Sequence, residues 1–160
     1  MRTLSLDLDL LANLINSREP LEAVLDLETG SVTVLPPGEQ DNDMRQQVAL
    51  EPERYAAIPW LDTEERVALR DAFLFTLDDL VAHPLLSNAL AGRKPLRTFD
   101  YELDHFPPLR ERWQAFEAAK LREFVLNWLY ELGLEPAPDR LPMDTRGIPK
   151  DILRRLNKNA

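Results

Sequence analysis

A chain of 160 residues with 44% hydrophobic and 29% charged side chains has the proportions of one folded domain, which excludes wholesale disorder. It contains no Cys, so a disulfide framework, a cysteine nucleophile and thiolate metal sites are excluded and a reducing compartment is expected. A net charge of −9 argues against a general DNA-binding domain, because neutralising phosphates takes a concentrated cationic face.

The apolar N-terminal run is interrupted by Asp7 and Asp9, and no small-residue cleavage pattern follows it, so an export signal is not expected. No stretch approaches the ~18 apolar residues that a membrane helix needs, and the expected location is cytoplasmic. Ser5 is placed to cap a first helix carrying Leu6, Leu10, Leu14 and Ile15, ended by Pro20, although the alternation of Leu4, Leu6, Leu8 and Leu10 also fits a strand. Leu21, Ala23, Leu25 and Leu27 then alternate with Glu22, Val24 and Asp26. The turn Glu28-Thr29-Gly30 leads to the β-branched run 31–35, which together predict a β-hairpin.

Residues 36–43 are a polar breaker segment, expected as an exposed loop. Asp41 and Asp43 have the alternate spacing of a calcium loop, but no following Gly and distal Glu complete one, so a solvated acidic loop is preferred. Val48-Ala49-Leu50 reads as a third short strand, and Pro52-Glu53-Arg54-Tyr55 as a helical turn opened by Pro.

Asp62 with Glu65 forms a capping-box pattern that opens a long helix. Its expected core stripe is Leu69, Ala72, Phe73, Thr76, Leu77 and Leu80; Val67, Leu74 and Phe75 fall off that stripe, so cover on more than one side is expected. Pro84 and Gly92 bracket a short helix, and Pro95 starts another with Phe99 and Leu103 on one face. Pro107-Pro108 introduces the longest helix, about 109–132, stopped by Gly133. Beyond Glu135, three prolines mark a linker, and residues 149–156 have the pattern of a short basic helix.

Charge is uneven along this course. Residues 1–44 hold two Arg against nine acids, whereas residues 139–160 hold six cations (Arg140, Arg146, Lys150, Arg154, Arg155 and Lys158) against three acids.

Several segments together carry a family resemblance. They are Leu25-Asp26-Leu27-Glu28-Thr29-Gly30, Pro52-Glu53-Arg54-Tyr55 with Ile58-Pro59, and Leu90-Ala91-Gly92-Arg93 with Arg97 and Phe99. Residues 109–116 follow, then Trp128-Leu129 and residues 132–136. In this order and spacing the chain resembles uncharacterised protein family 0158, over residues 4–136, with residues 137–160 outside the likeness. It departs from the family pattern at Gln114, where the family carries Tyr. The resemblance implies a compact α+β domain and no assigned activity, so it brings no catalytic residues with it.

The residues themselves give little chemistry. Two histidines, His83 and His105, cannot build a multi-His metal site, and no metal ion or cofactor is expected. His83 and Ser87, four apart, lack by themselves the orienting acid and oxyanion hole of a nucleophilic centre; Asp79 is near in sequence, but helix-end polar residues are the preferred reading. The carboxylate pairs Asp26/Glu28, Glu64/Glu65 and Asp78/Asp79 fall in turns or at helix ends, where capping accounts for them. Five Gly residues are too dispersed for a phosphate loop. Trp113, Phe116, Phe124 and Trp128 fall on core stripes, and burial is preferred to base stacking.

Arg93, Lys94 and Arg97 stand out, because three cations at a helix start oppose the macrodipole and make a candidate contact for an anion or acidic partner. Pairing of these cations with acids of the acidic body is nevertheless the preferred reading, since it is the usual fate of scattered surface cations. The expectation is one α+β domain, residues 4–136, with a β-hairpin or small antiparallel sheet packed by about five helices and a long C-terminal helix. A linker and basic tail, residues 137–160, follow.

The leading functional reading is a non-enzymatic protein-interaction or regulatory module with a protein partner, homodimerisation through the long helix being secondary. The alternative is nucleic-acid association through tail contacts Arg146, Lys150, Arg154, Arg155 and Lys158. An enzyme remains open only if a deep pocket gathers two or more of Asp26, Glu28, Arg54, Tyr55 and Arg97.

Overall fold

The computed structural model describes residues 2–36 and 43–137. In chain order the elements are β1 (Arg2–Leu4), α1 (Leu8–Ile15), β2 (Ala23–Asp26), β3 (Val32–Val34), α2 (Asp43–Leu50) and β4 (Tyr55–Ala57). Then come α3 (Thr63–Leu74), α4 (Ala82–Leu90), α5 (Pro95–Leu103), α6 (Pro107–Glu131) and β5 (Leu134–Pro136). The fold is α+β: six helices among the described residues, with a three-stranded antiparallel sheet in the order β3-β2-β4.

The hairpin forms as its alternation predicts, with Ala23 opposite Val34 and Leu25 opposite Val32. Its turn depends on two residues. Asp26 Oδ1 accepts from the backbone N–H groups of Glu28 (2.9 Å) and Thr29 (3.3 Å). Gly30 takes φ +81°, and a Cβ there would lie 2.4 Å from the Ser5 carbonyl oxygen, so only Gly fits.

Several expectations are corrected. α1 starts at Leu8 and is capped by Asp7, not Ser5: the Asp7 carboxylate accepts from Leu10 N at 3.0 Å. The residues before it form β1, which pairs in parallel with β5 at the far end of the chain. Val48-Ala49-Leu50 is the end of helix α2, and the third strand is β4, beginning at Tyr55, with Asp26 opposite Tyr55 and Val24 opposite Ala57. The added α2 raises the expected five helices to six. The breaker residues 37–42 and the tail from 138 onward lie outside the described residues.

The capping box forms in full, with Asp62 Oδ1 accepting from Glu65 N (2.8 Å) and Glu65 Oε1 accepting from Asp62 N (3.2 Å). The helix is shorter than its expected stripe. Thr76 Oγ1 donates to Phe73 O at 2.6 Å, a local bond that competes with helix continuation, and α3 stops at Leu74. Leu80, placed on the core stripe by its spacing, is 91% exposed, and Phe75 is 85% exposed. Pro95 and Pro107 open α5 and α6 as predicted, and Gly133 (φ +76°) follows the end of α6.

Two hydrophobic clusters make up most of the core. One is aliphatic, joining α1, β2 and the C-terminal half of α6 through Leu11, Ile15, Leu25, Leu121, Val125 and Leu129. The other joins α3, α4, α5 and the N-terminal half of α6 around Phe73, Leu86, Phe99 and Trp113. α6 serves both because of its spacing. Leu109, Trp113, Leu121, Val125 and Leu129 are its buried residues and lie on a row of constant spacing four. On a helix of about 3.6 residues per turn such a row drifts by about 40° per step. Its two ends therefore face different neighbours.

Candidate functional site

Three regions bear on function. The first is built on Asp26. Its carboxylate, almost fully buried, receives Arg54 through Nε (3.1 and 3.2 Å) and Nη2 (2.9 Å). This pairing, helped by the turn N–H groups and opposed by burial, holds the Asp26 pKa down at about 2. The same hydrogen bond raises Arg54 further above its already high value. Glu28 (3.5 Å) and Glu51 (3.7 Å) complete the surroundings of the guanidinium.

An open cleft of about 630 Å³ lies alongside, lined by Arg2, Glu28, Glu51 and Arg54 among others. Two residues of the group that would indicate an enzyme, Glu28 and Arg54, thus share a cavity. Arg54 is engaged by three carboxylates, Tyr55 is buried and accepts from Gln47 Nε2 (2.9 Å), and Arg97 lies elsewhere, on α5. The arrangement ties the hairpin turn to the approach of β4. It gathers neither a nucleophile nor a separated acid–base pair.

The second region is the seam between the two hydrophobic clusters. Where the row of four along α6 passes residue 117, it carries Glu117 in place of an apolar side chain. Burial pushes its pKa up, opposed by the charge of Arg70 and a hydrogen bond from Asn16. Across from it, α3 presents Arg66 and Arg70. Arg66 ties α3 to the end of α1 through the carbonyls of Asn16 (3.2 Å) and Ser17 (2.7 Å), and also donates to the Leu61 carbonyl just before its own helix (2.9 Å). Its guanidinium also lies over the Trp60 ring at 5.1 Å. Arg70 is buried between Phe99 (5.5 Å) and Trp113 (4.9 Å), with a 3.4 Å contact to Asp100. Sequence reasoning missed this group. One signal was there: Glu117 interrupts the otherwise apolar row of α6, whereas Arg70 follows Arg66 at the same spacing and breaks no such row.

The third region is the corner between α3 and α4. Phe75, Leu80 and Val81 (66%) stand in solvent. The connection is nonetheless fixed. Asp79 Oδ1 accepts from Val81 N and Ala82 N, each at 2.9 Å, and Arg112 Nη2 donates to Thr76 O at 3.3 Å. Those N–H groups hold the Asp79 carboxyl below its ordinary range. Asp79 therefore holds the turn that leads into α4, which accounts for a polar residue at this place before His83 and Ser87.

The sequence-marked cations Arg93, Lys94 and Arg97 are all exposed, around the start of α5. None is paired with an acid among the described residues. Arg146, Lys150, Arg154, Arg155 and Lys158 lie outside the described residues. Among the described residues no helix is long and apolar enough to cross a membrane, and no cluster of three or more His, Asp or Glu is arranged to hold a metal ion.

The model of the Uncharacterised protein family (UPF0158) matches residues 1–150. The chain belongs to this family. The match reaches past the boundary at residue 136 drawn from the sequence, taking in Arg140, Arg146 and Lys150 of the basic segment. The UPF0158 protein PA5073 of Pseudomonas aeruginosa is 31% identical over 142 residues, covering 89% of this chain and 92% of that protein. No solved structure matches.

Proposed function

We propose that this member of the UPF0158 family is a non-enzymatic protein-interaction module that receives its partner on the α3–α4 corner. The observation that carries this reading is the exposure of Phe75 (85%), Leu80 (91%) and Val81 (66%) on a connection pinned by hydrogen bonds. Large apolar side chains grouped in water are costly unless something covers them. Rigid presentation also lowers the entropy lost on association. Asp71 lies one turn before Phe75, and Asp78 and Asp79 immediately precede Leu80, in a chain of net charge −9. The partner that fits is a protein segment carrying basic residues beside apolar ones.

The test places a photo-crosslinking residue at position 78 and compares wild type with Phe75→Ser/Leu80→Ser. Cross-links to a basic segment, weakened by salt and abolished in the double variant, are expected. Cross-links to a second copy of the chain would make the partner a homodimer mate. Equal capture by the double variant would remove the corner from consideration.

A second reading rests on a different observation. Arg93, Lys94 and Arg97 stand exposed without an acidic neighbour among the described residues, in a chain whose basic tail adds Arg146, Lys150, Arg154, Arg155 and Lys158. Nucleic-acid association through these cations predicts steeply salt-dependent binding by the full chain. Binding that survives both neutralisation of the three helix-start cations and removal of residues 139–160 would exclude it.

A further inference from the structure

Two cavities, of about 370 and 290 Å³, open on the seam between the clusters, and Arg18, Arg70, Asp100 and Glu117 line both. Such volumes fit a metabolite-sized ligand rather than a macromolecule. Counting both linings, four arginines (Arg18, Arg66, Arg70 and Arg110) face three carboxylates (Asp100, Asp104 and Glu117). This surplus of positive charge lies in a chain of net charge −9.

The arginines differ in what they have left to offer. Arg66 is committed to backbone carbonyls, and Arg110 pairs with Asp104 at 3.3 Å. Arg18 is exposed and has no partner among the described residues. Arg70 is the decisive one. Its side chain is only 9% accessible, yet its Nε has no hydrogen-bond partner. Its Nη1 has one bond, to Arg66 O at 3.2 Å, and its Nη2 one, to Asp100 Oδ1 at 3.4 Å. A charge-assisted bond of good geometry measures about 2.7–2.9 Å, so the Asp100 contact is long, and Asp100 itself is exposed. A buried guanidinium with unused donors is costly to keep unless a ligand completes its shell. Phe99 and Trp113 fix its position, leaving little side-chain entropy to lose on binding.

We propose that this seam is a binding site for a small molecule presenting a compact oxyanion, a phosphate monoester or a carboxylate, anchored by Arg70 and closed over by Arg18. The incoming group displaces the long Asp100 contact and takes up the free donors of the guanidinium in bidentate fashion.

The experiment follows the three tryptophan indole N–H resonances of the full chain while inorganic phosphate or acetate is added, with chloride at matched ionic strength as control. Trp60 and Trp113 line the two cavities and Trp128 does not, so the molecule carries its own reference. Saturable shifts of Trp60 and Trp113 beyond the chloride control are expected, with Trp128 unmoved. Response to phosphate alone assigns a phosphate monoester, and response to acetate alone a carboxylate. Arg70→Lys keeps the charge but loses the fork, and weakens the response about tenfold. Arg18→Gln, at an exposed position without a partner among the described residues, weakens it severalfold. Absence of a saturable shift with either anion, or affinity unchanged in Arg18→Gln, overturns the proposal.

Discussion

Replacing Asp26 with Asn isolates one charge in an otherwise preserved turn. The Asn side-chain oxygen can still accept from Glu28 N and Thr29 N, so what is lost is the negative partner of Arg54. Lowering the carboxyl pKa from 3.8 to about 2 corresponds to at most about 2.5 kcal/mol of folding free energy. Arg54 is 26% accessible at its side chain, so solvent screening reduces this to about 1–2 kcal/mol.

The sign follows from linkage. The folded-state pKa is depressed, so the stabilisation is complete above the unfolded value near 4 and is lost as pH falls through about 2. Roughly half should remain at about pH 3. Urea denaturation of both proteins between neutral pH and about pH 3 gives the measurement. The two stability curves should be separated by about 1–2 kcal/mol at neutral pH and converge on acidification. A separation below about 0.5 kcal/mol at neutral pH, or one that stays constant down to about pH 3, would refute the assignment of Asp26 as the paired carboxylate.

Further outcomes follow from the local geometry and packing. Asp62→Ala removes one half of the capping box and should cost about 1 kcal/mol, read by thermal unfolding. Phe73→Ala, which empties a site in ring contact with Trp113 and Phe116 at 5.4 Å, should cost about 3–5 kcal/mol. Phe75→Ala, two residues on and exposed, should change stability by no more than about 0.5 kcal/mol; comparable losses at both positions would contradict the burial described. Gly30→Ala should cost at least about 2 kcal/mol, since it adds left-handed strain to a clash with the Ser5 carbonyl, and a neutral result would show that the turn relaxes freely.

What was legible in the sequence was what neighbouring residues decide. The capping box at Asp62, the prolines opening α5 and α6, Gly133 beyond α6 and the hairpin turn are each set within a few residues. What was not legible depends on distant partners. Tyr55 joins a strand only because β2 lies beside it, and β1 exists only because β5 comes back to it from the other end of the chain. Val48-Ala49-Leu50 is too short an apolar run for periodicity to separate strand from helix, and the polar residues before it carry α2 through it. The extended stripe to Leu80 assumed an uninterrupted helix, whereas α3 stops at Leu74. Of the candidate regions, the cations around the start of α5 were visible as a charge cluster. Glu117 was visible as a break in the row of α6, but its meeting with Arg70 was hidden because α3 and α6 come together only in the fold.

The charge of this chain takes on a meaning in the structure that its net value conceals. Most of the acids lie outside the core, while three arginines, of which only Arg70 is buried, tie its elements together. Arg54 joins the hairpin turn to the approach of β4, Arg66 joins α3 to the end of α1, and Arg70 lies between the rings of α5 and α6. The first two are matched to their surroundings. Arg54 has three carboxylates and Arg66 a set of carbonyl groups, and each is explained by the join it makes. Arg70 makes its join through ring faces, which use its planes and leave much of its hydrogen-bonding edge unused. An aliphatic side chain would fill that position between Phe99 and Trp113 without a desolvation cost. An arginine kept there, opposite the single acid in the buried row of α6, departs from what packing alone requires. Departures of this kind are expected where a fold carries function, and here the departure coincides with the cavities that open on the seam.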